Sequence, residues 1–208
     1  VIERLLVHEG DRVTKGQLLM ELDRVKLAAA VDESRARVAA LKSAMVRIQA
    51  ELFNKPLAFP ADVLAYPDFV ANQRMLYTKR RQALAADLST LGQQRGLARQ
   101  ELGMNMPLLT QGDVSRADII RLQRGVTDIQ GQIDSRRNKY LEDLQTEYTR
   151  TEEELASALQ VLAQRSDALG NAAIHSPSDG IVTNVRMTTV GGVLRAGDEV
   201  MEIVPTGD

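Results

Sequence analysis

The 208-residue sequence contains no cysteine, no tryptophan and only 3% aromatic residues. The lack of cysteine excludes disulfide scaffolds, thiolate metal sites and cysteine nucleophiles. The shortage of aromatic side chains argues against one large compact core, because these side chains normally bury the most area per residue. No run approaches 18 consecutive apolar residues, so no membrane-spanning helix is predicted. The 26 basic and 28 acidic side chains nearly cancel, so no field of one sign marks the whole chain.

The sequence does contain a long helical middle between two β-like ends. Residues 1–22 and 172–208 alternate like short strands and carry glycine and proline at their turns. Residues 23–171 contain few helix breakers, and the chain is rich in Ala, Leu, Arg, Gln and Glu, which is typical of long helices or coiled coils. The pattern therefore predicts a mostly α chain with a small β domain.

The two ends repeat each other. Gly10 and Gly16 have the same spacing as Gly191 and Gly197, and Met-Glu-Leu at 20–22 matches Met-Glu-Ile at 201–203. We expect these four glycines to occupy turns with positive φ, and Gly180 to be a further turn residue. Each end alone is too short to bury a core, so the two ends should form one β-sandwich unless they are unrelated hairpins. Its expected interior residues are Leu5, Val7, Val13, Leu22, Val182, Val185 and Ile203.

A heptad pattern divides the middle into three helices. The seam of the first helix runs from residue 27 to 52 with one polar break at Ser34, and two prolines then end the helix. The second helix is expected to begin within 61–72 and to end near 105, and the third to run from about 116 to 169. The seam of the third helix passes through a four-residue insertion and resumes at Leu141. The middle should therefore fold back on itself as a hairpin.

The expected tip of this hairpin lies near residues 107–115. Pro107 disfavours helix upstream, and Gly112 permits a turn. Ser115 followed by Asp118 resembles a capping box, which would start the third helix. We therefore predict that the chain reverses direction here.

These features together resemble the membrane fusion proteins, or periplasmic adaptors, and most closely the HlyD type of bacterial type I secretion. The resemblance rests on the repeated ends, on Ile-His-Ser-Pro-Ser-Asp-Gly-Ile-Val at 174–182, and on Met-Glu-Ile-Val-Pro at 201–205. It implies a lipoyl-like β-sandwich whose first half is residues 1–22. The second half, with the start of a β-barrel domain, is residues 172–208, and a three-helix coiled-coil hairpin at 23–171 is inserted between the halves.

The resemblance also implies a function. The expected protein is a non-catalytic adaptor that connects an inner-membrane ABC transporter with a TolC-like outer-membrane channel and serves a secreted protein cargo. It implies a hexamer in the full assembly, a periplasmic location and an N-terminal anchor helix in the inner membrane. Because Val1 begins inside a predicted strand, we expect the sequence to be a fragment that lacks this anchor. No nucleic acid, cofactor or metal is implied.

The tip carries the residues expected to dock the channel. Many family members have Arg, then Leu four residues on, then Ser seven further; here Leu108 and Ser115 match, but Met104 stands in the Arg position. In the alternative, the two leucines only plug the open end of the coiled coil. The expected docking residues are Leu108, Leu109, Gly112, Val114 and Ser115.

Three other functions deserve weight. A biotinyl or lipoyl carrier needs a lysine at the hairpin that joins its halves, but helix occupies that place and the nearest lysine is Lys26. A drug-efflux adaptor is the second alternative, and a purely structural coiled coil the third. His8 and His175 show no metal-ligand spacing, and no catalytic triad or phosphate-binding loop stands out, so enzymatic activity is not expected.

Two stretches of opposite charge lie in the helices. Residues 74–99 sum to +5 and residues 142–154 to −5. Both can be solvated helix faces, since exposed pairs contribute little. Alternatively, they pair neighbouring hairpins side by side in a ring and set the register of that contact.

Overall fold

The computed structural model describes residues 2–186, 192 and 198–206. These residues form six strands and four helices, and the chain is mostly helical with small antiparallel sheets, as predicted. The strands are β1 (Ile2–Leu5), β2 (Arg12–Val13), β3 (Leu18–Leu22), β4 (Ala173–His175), β5 (Gly180–Thr183) and β6 (Glu202–Pro205). The helices are α1 (Arg24–Leu52), α2 (Ala61–Leu64), α3 (Pro67–Gln111) and α4 (Arg116–Gly170). In the described part of the chain, no helix is long and apolar enough to cross a membrane.

The chain divides into two units. One unit consists of Val1–Val38 and Ala156–Asp208, and the other of Ala39–Leu155. Helices α1 and α4 contribute to both units, because the division falls within them. The chain therefore does not divide where strand gives way to helix.

In the first unit, strands from the two ends of the chain pair with each other. One sheet has the order β1-β3-β4 and the other β2-β5-β6, and all pairs are antiparallel. Leu18 pairs with His175 in the first sheet, and Arg12 pairs with Ile181 in the second. The predicted pairing of the ends is confirmed.

The core of this unit differs in part from the predicted interior. Val7, Val13 and Val182 are buried as expected, and Val185 and Ile203 pack against them while remaining partly exposed. Leu5 and Leu22 are only half-buried. Their places are taken by three residues that the prediction left out, since small shifts of strand register exchange the inward positions. These additional buried residues are Ile2, Leu19 and Met20.

The glycines of the ends serve two different purposes. Gly10 and Gly16 have φ of 93° and 83°, which confirms that they are turn residues. The expectation for Gly180 is wrong, because it lies in β5 without a positive φ and pairs with Val13 and Pro205. A Cβ atom there would lie 2.6 Å from the Val204 carbonyl oxygen, so Gly180 permits close strand approach. Gly191 and Gly197 lie outside the described residues.

The polar break in the α1 seam is satisfied by α4. Ser34 is buried, and Arg165 Nη1 donates to Ser34 Oγ at 2.9 Å and to the Ala30 carbonyl at 2.9 Å. The same guanidinium lies 2.9 Å from Glu33. Ser34 Oγ also donates to the Ala30 carbonyl of its own helix at 3.1 Å, so the buried hydroxyl has one partner in α1 and a second in α4.

In the second unit, α3 and α4 run antiparallel. Arg95 contacts Gln130, and Asp87 accepts a hydrogen bond from Arg136 at 2.8 Å. The earlier of the two α3 residues thus contacts the later of the two α4 residues, as expected for antiparallel helices. Residues 39–52 of α1 lie beside both helices, since Arg47 of α1 contacts Gln73 of α3 and Glu147 of α4. Three helical segments therefore meet at the end of α1.

Two details of the predicted helices are wrong. The second long helix does not end near 105 but continues through Pro107 to Gln111. Pro107 removes only the bond to the Gly103 carbonyl, and Gly103 is exposed, so water can satisfy that oxygen. In α4, Leu141 is 45% exposed, whereas Tyr140 is half-buried and Leu144 fully buried. After the four-residue insertion, the buried seam of α4 therefore resumes one residue earlier than predicted, at Tyr140 instead of Leu141.

Candidate docking tip

The chain reverses direction in residues 112–115, between α3 and α4. Gly112 has φ 86° and its N–H donates to the Leu109 carbonyl at 3.3 Å, while the Asp113 N–H donates to the Leu108 carbonyl at 3.1 Å. These two bonds are the Schellman arrangement, which requires a left-handed residue at the position of Gly112. The reversal is therefore shorter than the predicted loop, and Leu108 and Leu109 belong to the last turn of α3.

Ser115 caps the returning helix as predicted. Its Oγ accepts from the Asp118 N–H at 3.2 Å and donates to Asp118 Oδ2 at 2.6 Å. This hydrogen bond outweighs the opposing effect of burial and, together with the nearby charge of Arg121, holds the pKa of Asp118 below its usual range. The tip is therefore closed by backbone and side-chain bonds on both sides of residues 112–115.

The predicted docking residues differ in their exposure. Leu108, Leu109 and Val114 are half-buried, while Gly112 and Ser115 are exposed. Half-buried leucines at the end of paired helices agree with the alternative that they plug the coiled coil. Leu108, Leu109 and Val114 therefore keep only part of their apolar surface exposed at the tip, and their docking role stays a prediction.

Other apolar side chains near the reversal are exposed. Met104 is 60% exposed, Met106 is 46% exposed and Ile120 is 48% exposed. All three lie within about two helical turns of residues 112–115. The sequence analysis noticed Met104 only as a departure from the family pattern. Met106 and Ile120 could have been found from the sequence as apolar residues that lie just outside the apolar seam of their helices.

The basic and acidic stretches meet inside the second unit at one place. Arg80 Nη1 donates to Glu147 at 2.7 Å, and the Arg80 guanidinium lies 5.7 Å from the Tyr140 ring centre. Other charges of the acidic stretch pair within α4, as Arg150 does with Glu154 at 2.9 Å. The rest of both stretches is mostly exposed.

The remaining candidate groups show no chemical site. Lys26 is an exposed residue in the first turn of α1, 3.6 Å from Asp23. His8 and His175 are exposed, and the His175 ring contacts the Ala173 carbonyl at 3.1 Å. Within residues 2–186, 192 and 198–206, no group of three or more His, Asp or Glu side chains could hold a metal ion. The exposed apolar tip is therefore the candidate site with the clearest chemistry.

Comparisons with known proteins place this fold in a class. No protein-family model matches the chain. The structure superposes with a TM-score of 0.66 and 24% identity on the soluble domain of LipC, a membrane fusion protein of a type I secretion system, covering 99% of this chain and 96% of that one. The periplasmic adaptor EmrA gives a TM-score of 0.52 at 18% identity, covering 98% and 68%. The chain therefore has the fold of a membrane fusion protein's soluble domain.

Curated relatives narrow the class. The chain is 26% identical over 230 residues to protein CyaD of Bordetella pertussis, covering 99% of this chain and 50% of that protein. It is 23% identical over 257 residues to the alkaline protease secretion protein AprE of Pseudomonas aeruginosa, covering 100% and 60%. The type I secretion system membrane fusion protein PrsE of Rhizobium meliloti is 23% identical over 260 residues, covering 100% and 58%.

The resemblance to type I secretion membrane fusion proteins is thus confirmed. The chain spans about half the length of the curated relatives it matches.

Proposed function

We propose that this chain is part of a non-catalytic periplasmic adaptor for type I protein secretion. The observation that carries the proposal is the pairing of the chain's two ends around a long helical excursion. The Lys15 N–H donates to Asp179 at 2.7 Å although the two residues lie 164 positions apart. In this topology the chain leaves the small β unit through one helix and comes back to it through another. Such an arrangement suits a spacer between two partners better than a catalytic cleft.

In this proposal the two sheets are the halves of a lipoyl-like β-sandwich. Residues 1–22 form the first half, and residues 172–208 form the second half and lead towards a β-barrel domain. Residues 23–171 form a three-helix coiled-coil hairpin. The strand pairing and the antiparallel course of α3 and α4 support this assignment.

The tip is proposed to dock a TolC-like outer-membrane channel. Three exposed apolar side chains lie within about two helical turns of the reversal, with Met104 and Met106 on different sides of α3, and burial of each against a partner would be favourable. Met side chains adapt to irregular surfaces, which suits contact with the ends of another protein's helices. The residues with this role are Met104, Met106 and Ile120, with Leu108, Leu109, Gly112, Val114 and Ser115 shaping the reversal beneath them.

The other proposed partners are at the inner membrane. We place the whole protein in the periplasm as a ring of six copies, held at the inner membrane by a part of the protein outside these 208 residues. There it would meet an ABC transporter that delivers a secreted protein cargo. The similarity to protease secretion and type I secretion proteins supports this assignment.

The docking role is tested by charging the exposed methionines in the whole protein. We expect Met104→Asp with Met106→Asp to abolish cargo release into the medium and photocrosslinking of the tip to the channel. Because both side chains are exposed, the melting temperature should change by less than about 2 °C, as is usual for surface substitutions. Met75→Asp is the matched control, since Met75 is 52% exposed on the same helix far from residues 112–115.

Normal secretion by the doubly charged tip would contradict the docking role. An equal loss in Met75→Asp would show that charge on α3, rather than the tip, is responsible. Leu108→Asp is a poorer test than its position suggests, because Leu108 is half-buried and its replacement would also disturb the end of α3.

A further inference from the structure

A buried cluster of charged side chains lies where α1 ends. Arg47 is 1% exposed, and the side chain of Glu51 is fully buried. We call this group the Arg47 cluster. Its members are Arg47 and Glu51 of α1, Gln73 and Arg80 of α3, and Tyr140 and Glu147 of α4.

Every nitrogen of the Arg47 guanidinium bonds to a different helix. Nε donates to Gln73 Oε1 of α3 at 2.7 Å, Nη1 donates to Glu51 Oε1 of α1 at 2.7 Å, and Nη2 donates to Glu147 Oε1 of α4. The two arginines and two glutamates of the cluster balance in charge. One side chain of α1 is therefore fixed against both neighbouring helices.

The carboxylates are shared between the two arginines. Glu147 Oε2 accepts from Arg80 Nη1 at 2.7 Å, so this one side chain connects both guanidinium groups. Glu51 Oε2 accepts from the Tyr140 hydroxyl and lies 3.5 Å from Arg80 Nε. Loss of either negative charge leaves an excess positive charge in the cluster.

Arginine cannot relieve that excess by losing its proton, because its guanidinium stays charged at any ordinary pH. A buried charge without a counter-ion is costly, and the Arg47 side chain can return to water only if α1 moves away. Helices α3 and α4 do not need to separate, since they are also held by contacts such as Asp87 with Arg136.

We propose that the Arg47 cluster is an acid-sensitive latch that holds residues 39–52 of α1 on α3 and α4, and that acid releases this segment before α3 and α4 separate. This device goes beyond the proposed role in secretion and does not depend on it. It requires only the geometry of the second unit.

The direction of the pH dependence follows from Glu147. Burial alone would raise the pKa of Glu147, but hydrogen bonds and charges from Arg80 and Arg47 outweigh burial and hold that pKa below its usual range. A carboxylate with a lowered folded pKa contributes stability above its unfolded pKa of about 4.5 and loses it as the pH falls through the folded value. Release is therefore expected below about pH 4.5.

Charged groups outside the cluster also act on these helices. Arg81 of α3 acts on Tyr140, and Lys42 of α1 pairs with Asp62 of α2. The pKa of Asp62 is lowered by its hydrogen bond to Lys42, so this pair also weakens in acid. Both of its side chains are partly exposed, which makes it the natural control for the buried cluster.

Hydrogen–deuterium exchange of the chain at pH 7, 5, 4 and 3, corrected for intrinsic exchange, tests the proposal. Protection of amides 43–52 should be lost progressively between pH 5 and 3, because protonation of Glu147 removes a counter-ion of Arg47. Protection of amides 119–133 in α4 should fall much less. Equal loss in both segments, or no loss in residues 43–52, would overturn the latch.

Three variants assign the effect to the cluster. Glu147→Gln should lower protection of residues 43–52 at pH 7 by about 10- to 100-fold and reduce the remaining acid step, because Arg47 has lost a counter-ion. Glu142→Gln, an exposed change on the same helix, and Asp62→Asn should both keep the wild-type step. Wild-type protection in Glu147→Gln, or loss of the step in Asp62→Asn, would refute the assignment to the Arg47 cluster.

Discussion

Gly180→Ala should destabilise the β unit because of where the added methyl group would lie. The Cβ atom would stand 2.6 Å from the Val204 carbonyl oxygen and 2.6 Å from Ile203 Cγ2. Ordinary carbon–oxygen contacts between strands are about 3.3–3.6 Å, so β6 must move by more than half an ångström, or about 0.7 Å. The contact with Val204 is to backbone, which cannot rotate away as a side chain can.

The magnitude follows from the cost of overpacking. Adding a carbon to a well-packed site costs about 1–3 kcal/mol. In a domain of roughly 60–100 residues, each kcal/mol lowers the melting temperature by about 4–8 °C. Because the helices dominate circular dichroism, the better assay is hydrogen–deuterium exchange of residues 173–183. Protection there should fall by about 5- to 140-fold, since about 1.4 kcal/mol is tenfold.

The same substitution in α3 is the matched control. Gly96 is exposed and nothing lies within 4 Å of its would-be Cβ, so Gly96→Ala should stabilise α3 by about 0.5–1 kcal/mol through the usual helix preference for alanine. The same chemical change should therefore destabilise the protein at Gly180 and stabilise it at Gly96. Unchanged exchange of residues 173–183 in Gly180→Ala would refute the close approach of β5 and β6.

Two further predictions concern contacts inside the helices. Arg165→Met should lower the free energy of unfolding by about 1–2 kcal/mol, because the buried Ser34 hydroxyl loses a hydrogen-bond partner. Arg165→Met combined with Ser34→Ala should recover most of that loss in a double-mutant cycle measured by urea unfolding. Additive effects of the two substitutions would contradict the contact. Burial, and then the hydrogen bond to Glu51, raise the pKa of Tyr140 well above the usual value near 10, so an ultraviolet titration should contain a component well above pH 10 that Tyr140→Phe removes. Because the folded state keeps this proton longer than the unfolded state does, stability should fall as the pH rises above about 10, and Tyr140→Phe should remove that part of the loss.

Much of the fold could be predicted because two local signals are strong. The period of the apolar residues gave helices α1, α3 and α4, and the repeat of residues 10–16 placed turn glycines that the structure has at Gly10 and Gly16. The need of each short end for a core then implied that the ends pair. None of these inferences requires knowledge of side-chain contacts.

The errors arise where tertiary context decides. Pro107 is compatible with helix four residues before the end of α3, a position at which one lost bond can be replaced by water. Leu141 fits the heptad template, but the insertion in α4 turns Tyr140 inward instead, and Tyr140 then meets Glu51. Propensity and period describe one helix at a time, so they do not show which partner a residue meets.

The chain reversal was predicted close to its observed place, and the docking role of its residues stays a prediction. Residues 112–115 reverse the chain near the predicted place, and Ser115 caps α4 as expected. The exposed apolar side chains are Met104, Met106 and Ile120 instead of Leu108, Leu109 and Val114. The Arg47 cluster was missed altogether, because a buried arginine looks like an ordinary exposed one until its partners on other helices are known.

The pairing of the two ends affects how the chain can fold during synthesis on the ribosome. Strands β1 to β3 are synthesised first, yet β4 and β5 appear only after α4 is finished. The antiparallel contact of α3 and α4 is local around residues 112–115 and can form early, whereas strand pairing over 164 residues must wait. During that interval Val7, Val13 and Leu19 have no partner strand from the second half, and an unpaired strand edge invites association with other chains. The unpaired strands of a nascent chain therefore stay exposed until residues 173–205 have been synthesised, at about 5–20 residues per second.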